Sequence, residues 1–247
     1  MSAAGSAGGL SSPAEILGEL ERYLSDALRD GDLRLSTAQG DGRSNSSEDE
    51  RRISSALRLF VHANQAFKQR GLSIEIAPPR CWYDFLVRSE DESVWLPVNV
   101  KVTAMRGQDN LSSKEGLFYA VTGVRPETVA LNNWERYCEA VATHLDPATE
   151  ADYYFLVVSK NEVGHVFWTS LKQLDRVVPN GNNPPFQCAW RDNQERVERR
   201  PEEAVARLLG VLGETFRLRA EAYRYYGEIL APRLYGGAEV DAEIDAE

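Results

Sequence analysis

Residues 82–103, WYDFLVRSEDESVWLPVNVKVT, read as two strands joined by a charged turn. Trp82–Val87 is a short apolar run carrying one acid, Asp84. Arg88–Ser93 is the turn, and Val94–Thr103 is rich in valine and alternates after Pro97. Apolar runs bounded by polar turn residues signal a β-hairpin. Side chains alternate along a strand, so Asn99 and Lys101 share one face, and in a hairpin that face can lie beside Asp84. An ionised acid inside an apolar strand is costly unless it binds something. The hairpin therefore gathers an acid, an amide oxygen and an ammonium near one point. A partly buried ion pair between Asp84 and Lys101 is the plainer reading of the same residues.

Working outward, helices precede the hairpin. Ser12-Pro13-Ala14-Glu15 has the form of a capping box with proline at the first helical position, and Ile16, Leu17, Leu20, Leu24 and Leu28 keep the helical period. Residues 36–47, STAQGDGRSNSS, read as a polar loop. A second helix is expected from Ser47, with the stripe Ile53, Leu57, Phe60, Val61 and Phe67 and a stop at Gly71. Glu50 lies three residues before Ile53, near the face that packs on the sheet, which would bring its carboxylate to Asp84. Alternatively, Ser47 and Glu50 form a capping box, and the glutamate bonds the helix start.

After the hairpin come a polar loop at 104–111, a short helix over Ser113–Val121 and a longer one over Asn133–Leu145. Tyr153–Ser159 (YYFLVVS) is the strongest buried strand, His165–Trp168 is another, and Thr169 is placed to cap a helical turn SLKQL. Residues 179–190, PNGNNPPFQCAW, are loop-like, and Pro201 opens a long helix to about Leu230. This order predicts an α/β fold, a central mixed β-sheet flanked by helices. One domain is expected over 13–235, with a catalytic core at about 47–170. A disordered tail (1–12) precedes it and an acidic tail (236–247) follows.

Composition narrows the functional classes. The 247 residues fit one large domain or two small ones at ~100–200 residues per domain. No run approaches the ~18 apolar residues of a membrane span, and the start MSAAGSAGGLSSP lacks the basic and apolar regions of a signal peptide. Cys81, Cys138 and Cys188 lie far apart and suit neither a disulfide framework nor a zinc site, which points to a reducing, cytoplasmic setting. No GxSxG, GxxxxGK[ST] or HExxH motif occurs, and His62, His144 and His165 are scattered. The net charge of −10 counts against nucleic-acid binding, but the base-free tail with Glu239, Asp241, Glu243, Asp245 and Glu247 carries five of those charges. The rest of the chain has room for a basic groove.

Hard cations such as Mg²⁺ take oxygen ligands from carboxylates and carbonyls, and a cation beside a lysine supplies the parts for phosphodiester hydrolysis. WYDFLV, a polar turn and LPVNVKVT together resemble the catalytic hairpin of the PD-(D/E)xK nuclease superfamily, particularly type II restriction endonucleases. GRSNSSEDERRI resembles the loop and helix that present the first acid in such enzymes. DNLSSKEGLFYAVTG and YYFLVVS followed by VFWTSL resemble later parts of their core. The resemblance covers roughly residues 40–190. It implies a restriction-endonuclease-like core and Mg²⁺-dependent cleavage of double-stranded DNA leaving 5′-phosphates. It implies Asp84 as central metal ligand, Asn99 as a neutral oxygen where the family has a second acid, Lys101 assisting the water, and Glu50 as a further metal or water contact. Glu50, Glu75 or Asp109 would make good the charge that Asn99 lacks. A cognate methyltransferase acting on the same site would accompany such an enzyme.

Base contacts are expected from the loop at 179–190, through Asn180, Asn182, Asn183 and Gln187, because amide side chains can read adenine edges. Arg43 and Asn45 are placed to approach phosphates or bases from the loop before Glu50. These residues are also ordinary turn formers. A palindromic target requires twofold symmetry, so a homodimer is expected, through the first helix or the last one with Tyr223, Tyr225 and Tyr226. Two other readings of the sequence remain: a structure-directed or repair nuclease of the same superfamily, and a non-catalytic DNA-binding protein in which Asn99 marks a degenerate site.

Overall fold

A computed structural model of the chain describes residues 12–36, 42–111, 113–181 and 185–230. The hairpin at its centre forms as its alternation requires: β2 (Phe85–Ser89) pairs antiparallel with β3 (Trp95–Thr103), Phe85 opposite Val98. On the outer side of β2 lies β1 (Leu72–Ile76), also antiparallel. On the far side of β3 lies β5 (Tyr154–Ser159), parallel to it, with Asn99 beside Phe155 and Lys101 beside Val157. The antiparallel β6 (Val166–Ser170) closes a five-stranded mixed sheet of order β1-β2-β3-β5-β6. A parallel pair needs a long crossover. Here it carries β4 (Asp109–Asn110), α4 (Lys114–Thr122) and α5 (Trp134–His144).

Helices cover both faces. On one, α1 (Pro13–Asp30) and α2 (Gly42–Ala63) bury Ile16, Leu20, Ile53 and Leu57 against Val98, Val100 and Val102 of β3. On the other, α4, α5 and the long α6 (Pro201–Tyr225) bury Phe118, Tyr137 and Leu208 against Phe155, Val157 and Phe167. Strand β5 feeds both layers alternately: Tyr154, Leu156 and Val158 to the first, Phe155 and Val157 to the second. That is why it reads as an unbroken apolar run. Gly116 of α4 lets that helix close on the start of β5, since a Cβ there would meet the Tyr153 ring at 2.9 Å.

Helix α1 starts as its sequence states. The Ser12 side chain accepts from the Glu15 N–H, and the Glu15 carboxylate accepts from the Ser12 N–H at 2.9 Å. Ser12 is thus a cap and not the end of a disordered tail. The remainder of both expected tails lies outside the described residues, as does the part of the single domain beyond 230. Helix α2 departs from expectation: it begins at Gly42, five residues before Ser47. Glu50 is therefore in the helix interior, and the capping-box alternative falls. Thr169 lies fully buried within β6 and caps nothing, and the residues after it form a turn without a helix. The loop-like stretches at 104–111 and 179–190 contribute β4, β7 (Val178–Pro179) and β8 (Phe186–Cys188), which build a second, three-stranded sheet of order β4-β8-β7. Leu145 is not on the buried face of α5 but exposed. Tyr223, Tyr225 and Tyr226 near the end of α6 are exposed as well. Among the described residues no helix is long and apolar enough to cross a membrane.

Candidate active site

Asp84 continues the β2–β3 ladder one residue before β2 begins. Its N–H donates to the Val98 carbonyl (2.9 Å), its own carbonyl accepts from the Ala77 N–H (2.9 Å), and its Oδ2 accepts from the Val100 N–H (2.7 Å). Burial pushes its carboxyl above the ordinary carboxylate range, while the Val100 N–H and the charge of Lys101 pull it back. Lys101 thus acts on Asp84 through space, yet no ion pair closes between them within 4.0 Å among the described residues. The ion-pair reading of these two residues therefore does not hold. Between them in sequence, the side-chain oxygen of Asn99 is buried and has no hydrogen-bond partner among the described residues.

Glu50 comes to the same place from α2. Burial first, then the negative charge of Asp84, push its carboxyl up to about 7, and Lys101 and Lys160 oppose that rise. Glu50 is also the residue where two open cavities meet. One of about 520 Å³ runs past Arg51, Pro78, Arg80, Tyr83 and Asp84; the other, of about 340 Å³, is lined by Lys101, Arg106, Asp109 and Lys160. Of the three acids considered as compensation for Asn99, Glu50 and Asp109 therefore share a cavity with Lys101, and Asp109 also accepts from the Thr103 hydroxyl at 2.8 Å. Glu75 does not join them. It is half-exposed on β1 and paired with Arg88 at 3.0 Å.

No protein-family model matches this chain, and no curated protein matches it either. The site therefore rests on its own geometry. Counting His, Cys, Asp and Glu alone, no trio among the described residues is placed to hold a metal. The oxygens brought together here are the carboxylates of Asp84 and Glu50; Asn99 lines neither cavity, and its side chain reaches the Tyr153 hydroxyl.

The residues expected to read bases are placed differently. Asn180 is 4% exposed, and its amide donates to Asn110 Oδ1 at 3.0 Å, so it ties the end of β7 to β4 across the small sheet. Gln187 donates to the same Asn110 oxygen at 3.1 Å. Asn182 and Asn183 lie outside the described residues. Arg43 and Asn45 fall in the first turns of α2 and not in a loop, with their side chains outside the described residues.

Two contributors escaped the sequence reading. Lys160 follows β5, and its N–H donates to the Thr103 carbonyl (2.8 Å), which carries it past the end of β3 to Glu50. Only the parallel β3–β5 register could have announced it. Tyr153 donates its hydroxyl to the Trp82 carbonyl at 2.5 Å and is held protonated by burial and by Asp84, so it pins the backbone two residues ahead of that acid. Its position in an apolar run concealed the polar use of its ring oxygen.

Proposed function

We propose that the chain is a Mg²⁺-dependent, site-specific endonuclease for double-stranded DNA, a type II restriction enzyme. It acts as a homodimer, leaves 5′-phosphates and works beside a methyltransferase that protects the same site. The observation that carries this reading is the unclosed cluster: Asp84, Glu50 and Lys101 act on one another across space, and the buried amide oxygen of Asn99, on the same strand as Lys101, lacks a partner among the described residues. A buried acceptor left unpaired costs about 1–3 kcal/mol, an expense that binding a ligand relieves.

The donor set fits the cation. Hard oxygens suit Mg²⁺, and the Asp84 and Glu50 carboxylates would hold it. When bound, the ion would supply Lewis acidity and a water activated at neutral pH. The chain's own residues do the rest. Val100 fixes one oxygen of Asp84 and leaves the other to the ligand. Lys101 brings a positive charge to the phosphate as negative charge builds on it. Glu50, brought beside Asp84 by α2, would contact the ion or orient the attacking water.

Digestion of unmethylated phage DNA with Mg²⁺, followed by sequencing of the ends, tests the proposal. Discrete fragments with 5′-phosphates are expected, with none in EDTA. Asp84→Ala should abolish cutting, and Lys101→Ala should slow it about 10²–10³-fold, the range for removing one group that stabilises developing negative charge. Full activity in both variants would remove these residues from the mechanism. Nicks confined to junctions or ends would transfer the site to a structure-directed enzyme.

A further inference from the structure

We propose that the two cavities meeting at Glu50 are phosphate subsites, which seat a nucleic-acid strand on either side of the bond to be cut. Arg51 and Arg80 would hold the backbone in the larger cavity and Arg106, beside Lys160, in the smaller. The inference rests on the nuclease reading of the site between them.

The first support is the pattern of arginine pairing. Arg22, Arg52, Arg88, Arg125, Arg200 and Arg217 each hold a carboxylate. Arg196 and Arg199, in the basic stretch before α6, are spent on main-chain carbonyls, Arg196 also lying over the Trp168 ring. The side chains of Arg51, Arg80 and Arg106 are exposed and make no ion pair, hydrogen bond or ring contact among the described residues; the same holds for Arg58, Arg70 and Arg136, so position is what sets these three apart. All three line the cavities that flank the acids.

The second support is electrostatic need. The site presents Glu50, Asp84 and Asp109 to a substrate that carries one negative charge per nucleotide, on a chain whose net charge is −10. A strand can approach such a surface only where local cations outweigh the overall field. Phosphate contacts are also what fix the register of a backbone over a site. Tight turns present both arms. Arg80 has φ 71° at the tip of the turn closed by the Cys81 N–H to Pro78 carbonyl bond, and Met105, with φ 58°, immediately precedes Arg106. The left-handed region is uncommon for such residues, and unusual backbone of this kind gathers at working sites.

The salt dependence of binding tests this. A fluorescein-labelled duplex of mixed sequence, and one of its strands alone, are titrated with the full chain in an Asp84→Asn background, so that binding is read without turnover. Each phosphate contact contributes roughly 0.9 to the slope of log K against log salt on duplex and roughly 0.7 on a single strand. Arg51→Gln, Arg80→Asn and Arg106→Gln combined should flatten the slope by about one such increment for each charge removed. Asparagine is chosen at position 80 because it tolerates positive φ. Arg200→Gln, at the N-cap position just before α6, should leave the slope unchanged. A triple variant with the parent slope, or a parent that does not bind at low salt, would overturn the subsites. Undiminished cleavage by Asp84→Asn with a flattened slope in the triple variant would leave the subsites standing and sink the catalytic reading instead.

Discussion

Asp152 is buried and Asp84 partly buried, both just ahead of strands of the same sheet, and the fold treats them in opposite ways. Asp152 Oδ1 accepts from the N–H groups of Tyr153 (2.8 Å) and Lys172 (3.3 Å), and the Lys172 ammonium, close enough to stabilise the carboxylate, is itself occupied by the Thr149 carbonyl at 2.5 Å. Every charge in that cluster has a protein partner. Among the described residues Asp84 receives a single N–H, while Lys101 makes no ion pair and Asn99 Oδ1 no hydrogen bond. The first cluster is architecture, a polar knot that ties the turn before β5 to the turn after β6. The second keeps polar capacity unused, and beside an open cavity that capacity is available to a ligand.

The comparison can be broken by exchanging the two acids' roles in a stability measurement. Asp152→Ala should cost about 1–3 kcal/mol, because the N–H groups of Tyr153 and Lys172 lose their acceptor and the Lys172 ammonium loses a nearby opposite charge. Asp84→Asn should leave thermal stability level or higher, since it discharges an acid that burial already disfavours. Thermal melts of both variants check this, and equal losses would erase the distinction.

A smaller effect sharpens it. The carboxyl of Glu50 lies at about 7 in the folded chain against an ordinary value of 4.5. The folded state thus binds the proton more tightly than the unfolded one. Its contribution to stability is complete below the ordinary value and is lost as pH rises through about 7. Glu50→Gln should therefore raise the melting temperature by a few degrees at pH 8 and leave it unchanged near pH 4. Melting curves across that window decide the point, and a shift that does not vary with pH would contradict the burial of this acid. The smallest effect belongs to Glu75, whose exposed pairing with Arg88 is worth about 0–1 kcal/mol. Glu75→Gln should be near-neutral in the melt and silent in a cleavage assay. Lost cutting would make it the missing acid.

The hairpin was legible because everything that builds it is local: an alternating pattern, a charged turn and one acid out of place among apolar neighbours. The same locality brought Asp84, Asn99 and Lys101 to one place on paper. The start of α2 was not legible, since GRSNSS has no apolar residue to declare a helical turn ahead of Ile53. Strands β4, β7 and β8 are two or three residues long, too short to show a period. Asn180 looked like a turn former by composition, and only the small sheet explains why it is buried. Arg51, Arg80, Arg106 and Lys160 come from four separate segments, and no spacing in the chain foretells that they flank one cluster.

The Tyr153 hydroxyl on the Trp82 carbonyl has a consequence for the order of assembly. Tyr153 enters the structure only after the whole crossover from Thr103 has been laid down, since β5 joins β3 from the far side. Contacts that span so much chain form late compared with local ones. A nascent chain that has emerged as far as α5 can already possess the hairpin, while the latch that sets the depth of the acid is still in the ribosome.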